Sequence, residues 1–283
     1  MQHWLRALIP ADLAGSDLDR LRIDVQLDGD DIADLLVDAT GVDIRLSDEA
    51  FAPDTDPAPA HPDATETPAP EPISSTEGIA RSIRFLASPA HLEGYPFVVD
   101  VQVHDAPLRW VRYAAPLEEG RPETVVSVDE SVHGLSQATG SIELRMRTVD
   151  LGPLVQTLVS RALAAEGMKL RRLKVDVAAH GEKVTISASG AIRWRILGAS
   201  AHARVSLRVT PNGVITVQKI RLGSRNPLIA MALRLKSVRD SVREAEGTST
   251  DLGAELARDA GGPAFHDLCV RVDQQIRITG RLG

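Results

Sequence analysis

Chemistry in this chain would have to come from its histidines, its lone cysteine, its aspartate-rich turns or its arginines. The eight histidines are scattered from His3 to His266. None falls in the close His-x-x-x-His or Cys/His spacing that gathers a zinc ion. His266, Asp267 and Cys269 are near neighbours, as a thiol nucleophile and its base would be. Cys269 nevertheless sits in an alternating strand pattern, where a small buried thiol is the ordinary finding. Asp28, Asp30, Asp31 and Asp34 crowd together but lack the spacing and the distant Glu of a calcium loop. There is no Gly-x-Ser-x-Gly elbow, no phosphate-binding Gly-Lys loop and no dinucleotide fingerprint. The sequence therefore reads as non-enzymatic, with no catalytic residue, no metal ligand and no cofactor assigned.

The arginines carry a different chemistry. Arg193, Arg195, Arg204 and Arg208 recur at strand spacing in the second half, which predicts a basic sheet surface for anionic head groups. Trp194 lies between two of them but shares parity with Ile192 and Ile196, so its ring is expected to face the core. Without exposed aromatics to stack bases, nucleic acid is not the expected partner.

The elements that would position these groups follow from the hydrophobic pattern. The net charge of −7 divides unevenly along the chain. Residues 1–140 hold 9 Arg, no Lys and 26 acidic residues, a net of −17, and residues 141–283 hold 23 basic and 13 acidic residues, a net of +10. Such halves attract each other or attract different partners. The stretch from Ala52 to Ser75 contains seven prolines and no basic residue. That composition cannot bury enough apolar surface to offset its ordering entropy, which predicts a disordered acidic linker at 52–75. It would separate an N-terminal β-rich segment, 1–51, from a main α+β domain, 76–283, with the two packing together. The N-terminus shows no basic start followed by a sufficient apolar stretch, and no apolar run reaches membrane-spanning length. The expectation is a cytoplasmic protein, peripheral to a membrane at most.

Ser75, Thr76 and Glu77 suit the first turn of a short helix ending before Pro89. Strands are expected at Tyr95–Val103, Leu108–Tyr113, Thr124–Val128 and Ser141–Val149. Gly152 and Pro153 open a helix with the stripe Leu154, Val155, Leu158, Val159 and Ala162, closed by Gly167. Leu173, Val175 and Val177 alternate with Lys174 and Asp176, then turn at His180-Gly181 into Val184, Ile186 and Ala188, a hairpin. Further strands run through Ile192 to Ile196, Ala203 to Val209 and, after the turn Pro211-Asn212-Gly213, Val214 to Leu222. Asn226-Pro227 starts an apolar helix bearing Leu228, Met231, Leu235, Val238 and Val242. A last helix near Leu252 precedes strands around Leu268–Val272 and Gln275–Thr279. The echo of Arg20 to Val25 in Arg172 to Val177 fits an internal duplication.

The fold class expected is α+β, a long curved antiparallel sheet packed on amphipathic helices. From Ser141 to Leu282 the order strand, helix, long meander, helix, final strands resembles the actinobacterial LmeA-like phospholipid-binding proteins and, more distantly, the tubular lipid-binding (TULIP) superfamily. The resemblance rests on Gly140-Ser141-Ile142-Glu143-Leu144, the helix around Leu154 to Leu163, the hairpin Leu173 to Ala188 and the closing Gly262-Pro263-Ala264-Phe265. It implies a sheet wrapped around a helix with an apolar groove for acyl chains. On the apolar pattern itself, Leu154, Leu158, Leu228, Met231, Leu235 and Trp194 are the candidate contacts for a lipid or other hydrophobic ligand. The alternative expectation is an adaptor that joins protein partners through its charged faces and the acidic linker.

Overall fold

A computed structural model describes residues 17–47, 72–115, 124–128, 138–165, 168–194, 197–224, 226, 236–257 and 264–283. Strands dominate them. Strands β1 (Arg22–Asp28), β2 (Asp31–Asp38) and β3 (Asp43–Ile44) precede the acidic segment, and β4 (Pro72–Leu92), β5 (Tyr95–Tyr113), β6 (Thr124–Val128) and β7 (Thr139–Arg147) follow it. Helix α1 (Thr148–Ala165) leads into β8 (Met168–His180), β9 (Lys183–Trp194), β10 (Leu197–Val209) and β11 (Val214–Ser224). Helix α2 (Lys236–Ala245), β12 (Ser249–Asp251), α3 (Leu252–Ala257), β13 (Phe265–Val272) and β14 (Gln275–Leu282) come last. The architecture is mostly sheet, with few helices.

The strands form a nine-stranded sheet in the order β1-β2-β4-β5-β7-β14-β13, with β3 beside β4 and β6 beside β5. A second, five-stranded sheet runs β12-β11-β10-β9-β8. Among the described residues every ladder is antiparallel except those of β2 and β3 on β4. A parallel pair needs a crossover of a dozen residues or more. The chain between β3 and β4 supplies it, so the segment read as a linker joins strands of one sheet. β4 already begins at Pro72, inside that segment. The expected disorder of 52–71 lies outside the described residues, as do the cap Gly167 and the apolar helix start at 227–235.

The short helix expected from Ser75 is instead part of β4, a strand of 21 residues and about 70 Å at ~3.3 Å per residue. The local signal loses to pairing on both edges. Ile83, Phe85 and Ala87 stand opposite Val103, Val101 and Val99 of β5, a β-branched run that favours a pleated partner. Pro89 does not stop the element. It falls where the register shifts between Ala87 and Ala90, at a bulge that needs no N–H from it. The hairpin turns at Glu93 and Gly94, both left-handed with φ of 51° and 81°, as a two-residue turn matching strand twist requires. The strands expected separately at Tyr95 and Leu108 are one strand, β5. Helix α1 starts at Thr148, a turn earlier than Gly152-Pro153 suggests, and keeps Pro153 inside it.

The hairpin β8–β9, the turn at Gly213, β10, β11 and the closing strands β13 and β14 follow the alternation of the sequence. On one face of the five-stranded sheet Val175, Ala188 and Ala203 share a cross-strand row, as do Val177, Ile186 and Val205. One buried cluster joins the two sheets: Val184 and Val209 from the smaller, Phe265, Leu268 and Leu282 from the larger. Leu268 N–H donates to the Pro211 carbonyl at 2.9 Å and fixes the same junction through the backbone. Two further clusters lie in the larger sheet, around Leu21, Ile23 and Val42 and around Ile32, Ala80 and Leu108.

Candidate functional site

Two surfaces stand out, one aliphatic and one basic. The aliphatic one follows from strand period. On β5, β7 and β14 alternate residues point the same way, so Val101 lines up with Ile142, Val99 with Leu144 and Ile278, and Phe97 with Met146 and Ile276. These side chains are half-buried, and Phe85 in the neighbouring β4 is 36% exposed. The corresponding face of the five-stranded sheet, through Val175, Val177 and Val205, is half-buried too.

Helix α1 lies mainly along β8 and also touches β5 and β7. Leu154 is its buried anchor and Leu158 is half-buried. An ion pair fixes the helix to the larger sheet. Arg161 donates from Nη1 to Glu93 Oε1 at 2.6 Å and from Nη2 to the Leu46 carbonyl at 2.7 Å. The Leu46 N–H donates to the same carboxylate oxygen at 2.9 Å. One arginine thereby holds together α1, the β4–β5 turn and the chain after β3. The other end of the helix is held by Asp150, buried in its first turn, which receives both Nε and Nη2 of Arg147 at 2.7 and 2.9 Å. A carboxylate there also suits the positive end of the helix dipole.

The basic surface is the opposite face of the five-stranded sheet. Arg204 and Arg208 lie on one face of β10, as their spacing predicts, and both are exposed. Arg193 occupies a register position between Lys169 of β8 and Gly198 of β10. Arg195 lies outside the described residues. Trp194 pairs in register with Met168 and Leu197, and its side chain is outside the described set. Leu228, Met231 and Leu235 also lie outside, so Leu154 and Leu158 are the apolar candidates that can be placed.

The sequence reading passed over Arg172, Lys174 and His202. Register brings them together: Lys174, Ser189 and His202 form one cross-strand row, and Arg172, Ala191 and Ser200 the next. A cleft of about 550 Å³ opens over those two rows. Its signal in the sequence was the Arg-x-Lys alternation of β8, legible only once β10 is known to lie across β9. The Glu93–Arg161 contact had no sequence signal, because 68 residues separate its partners.

Two of the four clustered aspartates, Asp28 and Asp31, are held by internal contacts. Asp31 accepts the Ile79 N–H at 2.9 Å and Arg81 Nη2 at 2.9 Å, which together hold its carboxyl below the usual range. Asp28 lies 3.1 Å from the same guanidinium. Among the described residues no group of three His, Cys, Asp or Glu side chains is arranged to hold a metal. Around Cys269, which is half-buried, the His266 ring bonds to the Gly283 carbonyl and Asp267 pairs with Arg281 at 3.1 Å. No helix of the described residues is long and apolar enough to cross a membrane. Comparison with protein-family models, with curated proteins and with solved structures gave no match.

Proposed function

We propose that the chain binds a lipid or another elongated hydrophobic ligand without carrying out chemistry on it. The observation that supports this is the pair of aliphatic sheet faces, on β5, β7 and β14 and on β8, β9 and β10, whose side chains are half-buried where a closed core would bury them fully. Covering a Val or Leu side chain contributes about 1.5–3 kcal/mol, so an acyl chain laid along several of them would be held by its own desolvation. In this reading the sheets curve around α1, the helices present apolar faces to the ligand, and Leu154 and Leu158 border it. That is the arrangement the LmeA-like and tubular lipid-binding resemblance implies. The basic face, with Arg193, Arg195, Arg204 and Arg208, meets anionic head groups, and the protein works as a cytoplasmic protein peripheral to the membrane.

Organic extraction and native mass spectrometry of the purified chain test the reading. Acyl lipid bound in stoichiometric amount, and reduced when Val101→Asp places a charge on the aliphatic face, is the expected result. Protein that carries no lipid and takes none up from vesicles would leave the reading without support. A second reading is an adaptor joining protein partners through its charged faces. The separation of −17 and +10 between the halves favours it. Exchange of residues 52–71 for a neutral Gly/Ser segment of equal length would then abolish salt-sensitive capture of a protein partner, and the lipid reading expects no such effect.

A further inference from the structure

On the polar face of the five-stranded sheet the cations outnumber the carboxylates that face them. Two cross-strand pairs set like charge against like: Arg204 opposite Arg221, and Arg208 opposite Lys183. Like charges directly opposite on an antiparallel pair cost stability. Among the described residues two ion pairs on this face are internal, Lys174 with Asp176 at 3.3 Å and Arg208 with Glu182 at 2.8 Å. Arg204 donates from Nε to the neutral Ser187 hydroxyl at 3.2 Å.

The larger sheet also sets arginines opposite one another, Arg145 with Arg277 and Arg277 with Arg271. On its polar face Arg84 is paired with Asp100 at 2.8 Å, and Arg145 and Arg277 share Glu143 at 3.3 and 3.4 Å. Carboxylates reach Arg84, Arg145 and Arg277 there, whereas Arg204 of the smaller sheet bonds a neutral hydroxyl.

On the basic face lies the cleft bordered by Arg172, Lys174 and His202, with Lys174 also paired to the exposed Asp176. The central strand β9 contributes only short side chains to it, Ser189 and Ala191, with the Ser200 hydroxyl opposite. Two long cationic chains, both from β8, therefore stand on one side of a low floor that carries hydroxyl donors, and the His202 ring stands on the other. This geometry fits a phosphate oxygen cluster approached from solvent. Among the described residues of this face no aromatic ring is placed to stack a nucleic acid base.

We infer that this face docks the surface of an anionic membrane and that the cleft between Arg172, Lys174 and His202 seats one lipid phosphate. The inference rests on the lipid-binding reading and deepens it, naming where the head group sits. It adds three residues that the basic set predicted from sequence does not contain.

The test is flotation of the full chain with phosphatidylcholine vesicles, with and without phosphatidylglycerol. Three proteins are compared: the unaltered chain, Arg172→Ala/Lys174→Ala, and the control Arg271→Ala/Arg277→Ala, which removes equal charge from the other sheet. The unaltered chain should float with phosphatidylglycerol vesicles and release as salt rises. The cleft variant should bind roughly 25-fold more weakly, about fivefold per cation, and the control should change by less than about twofold. Equal loss in both variants, or indifference to phosphatidylglycerol, would overturn the inference. So would inorganic phosphate or a single-stranded oligonucleotide that depends on the cleft residues while vesicles are ignored, since the ligand would then be soluble phosphate or nucleic acid. Extracted lipid is measured on the same samples. Flotation without co-purified lipid leaves the docking surface standing and removes the hydrophobic-ligand reading, and the converse removes the docking surface alone.

Discussion

Arg161→Met should loosen α1 from the larger sheet, and the cost can be worked from its contacts. The wild-type guanidinium gives one bond to Glu93 and one to the Leu46 carbonyl. Its side chain is 27% exposed and that of Glu93 only 12%. Removing one partner of a fully buried pair costs about 3–5 kcal/mol, because the other charge is left without compensation. Partial access of water to Arg161 lowers the figure to roughly 2–3 kcal/mol. Glu93 would keep the Leu46 N–H, so the carboxylate is not wholly abandoned. Urea denaturation followed by circular dichroism should show the midpoint falling by about 1 M for a slope of roughly 2–3 kcal/mol per molar. Arg161→Lys keeps the charge but loses the fork, and should fall between the two. The reasoning predicts strong non-additivity with Glu93→Gln, since each substitution removes the same contact. A midpoint unchanged by Arg161→Met, or additive effects of the two substitutions, would show that the pair is screened by solvent and that α1 is held by packing alone.

Gly140→Ala should be far more damaging than its size suggests. A Cβ at Gly140 would lie 2.0 Å from the Gln102 carbonyl oxygen, so β5 and β7 could not keep their register, and soluble yield or melting temperature should drop sharply. Gly94→Asn, at a left-handed turn position with open space around it, serves as the tolerated comparison, measured by the same melt. Arg221→Gln relieves the Arg204–Arg221 repulsion and should raise stability by a few tenths of a kcal/mol at low salt, an effect that added salt should erase. Acid should weaken the larger sheet through Asp100, whose carboxyl is held below its ordinary value mainly by hydrogen bonds from Arg84. A carboxyl lowered in the folded state contributes stability that is full above its unfolded pKa of about 3.9 and is lost as pH falls through the folded value. Thermal melts of Asp100→Asn should therefore lie below wild type at neutral pH and converge with it in acid; parallel curves at every pH would contradict the assignment.

Much of the strand layout was legible because period two is a local property. Lys174, Asp176 and Val175 declare their faces without reference to any other part of the chain, and so do Ile142, Leu144 and Met146. The failure at Ser75–Pro89 has the same root. Ser75 to Glu77 is a sound helix start, yet Ile83, Phe85 and Ala87 gain valine partners only from β5 and from the parallel β2, which no local rule anticipates.

The sequence by itself settled which residues alternate, where the turns at Gly181 and Gly213 fall, and that its charge is divided. It settled these because dihedral preference and side-chain period act over a few neighbouring residues. Tertiary structure alone decided that the chain on both sides of the acidic segment builds one sheet, and that Arg161 reaches Glu93 across 68 positions. It alone set Arg204 against Arg221 and brought Arg172, Lys174 and His202 to one cleft. Such pairings depend on strand order and register, which arise from the balance of burial and hydrogen bonding over the whole molecule and leave no mark in any short stretch of sequence.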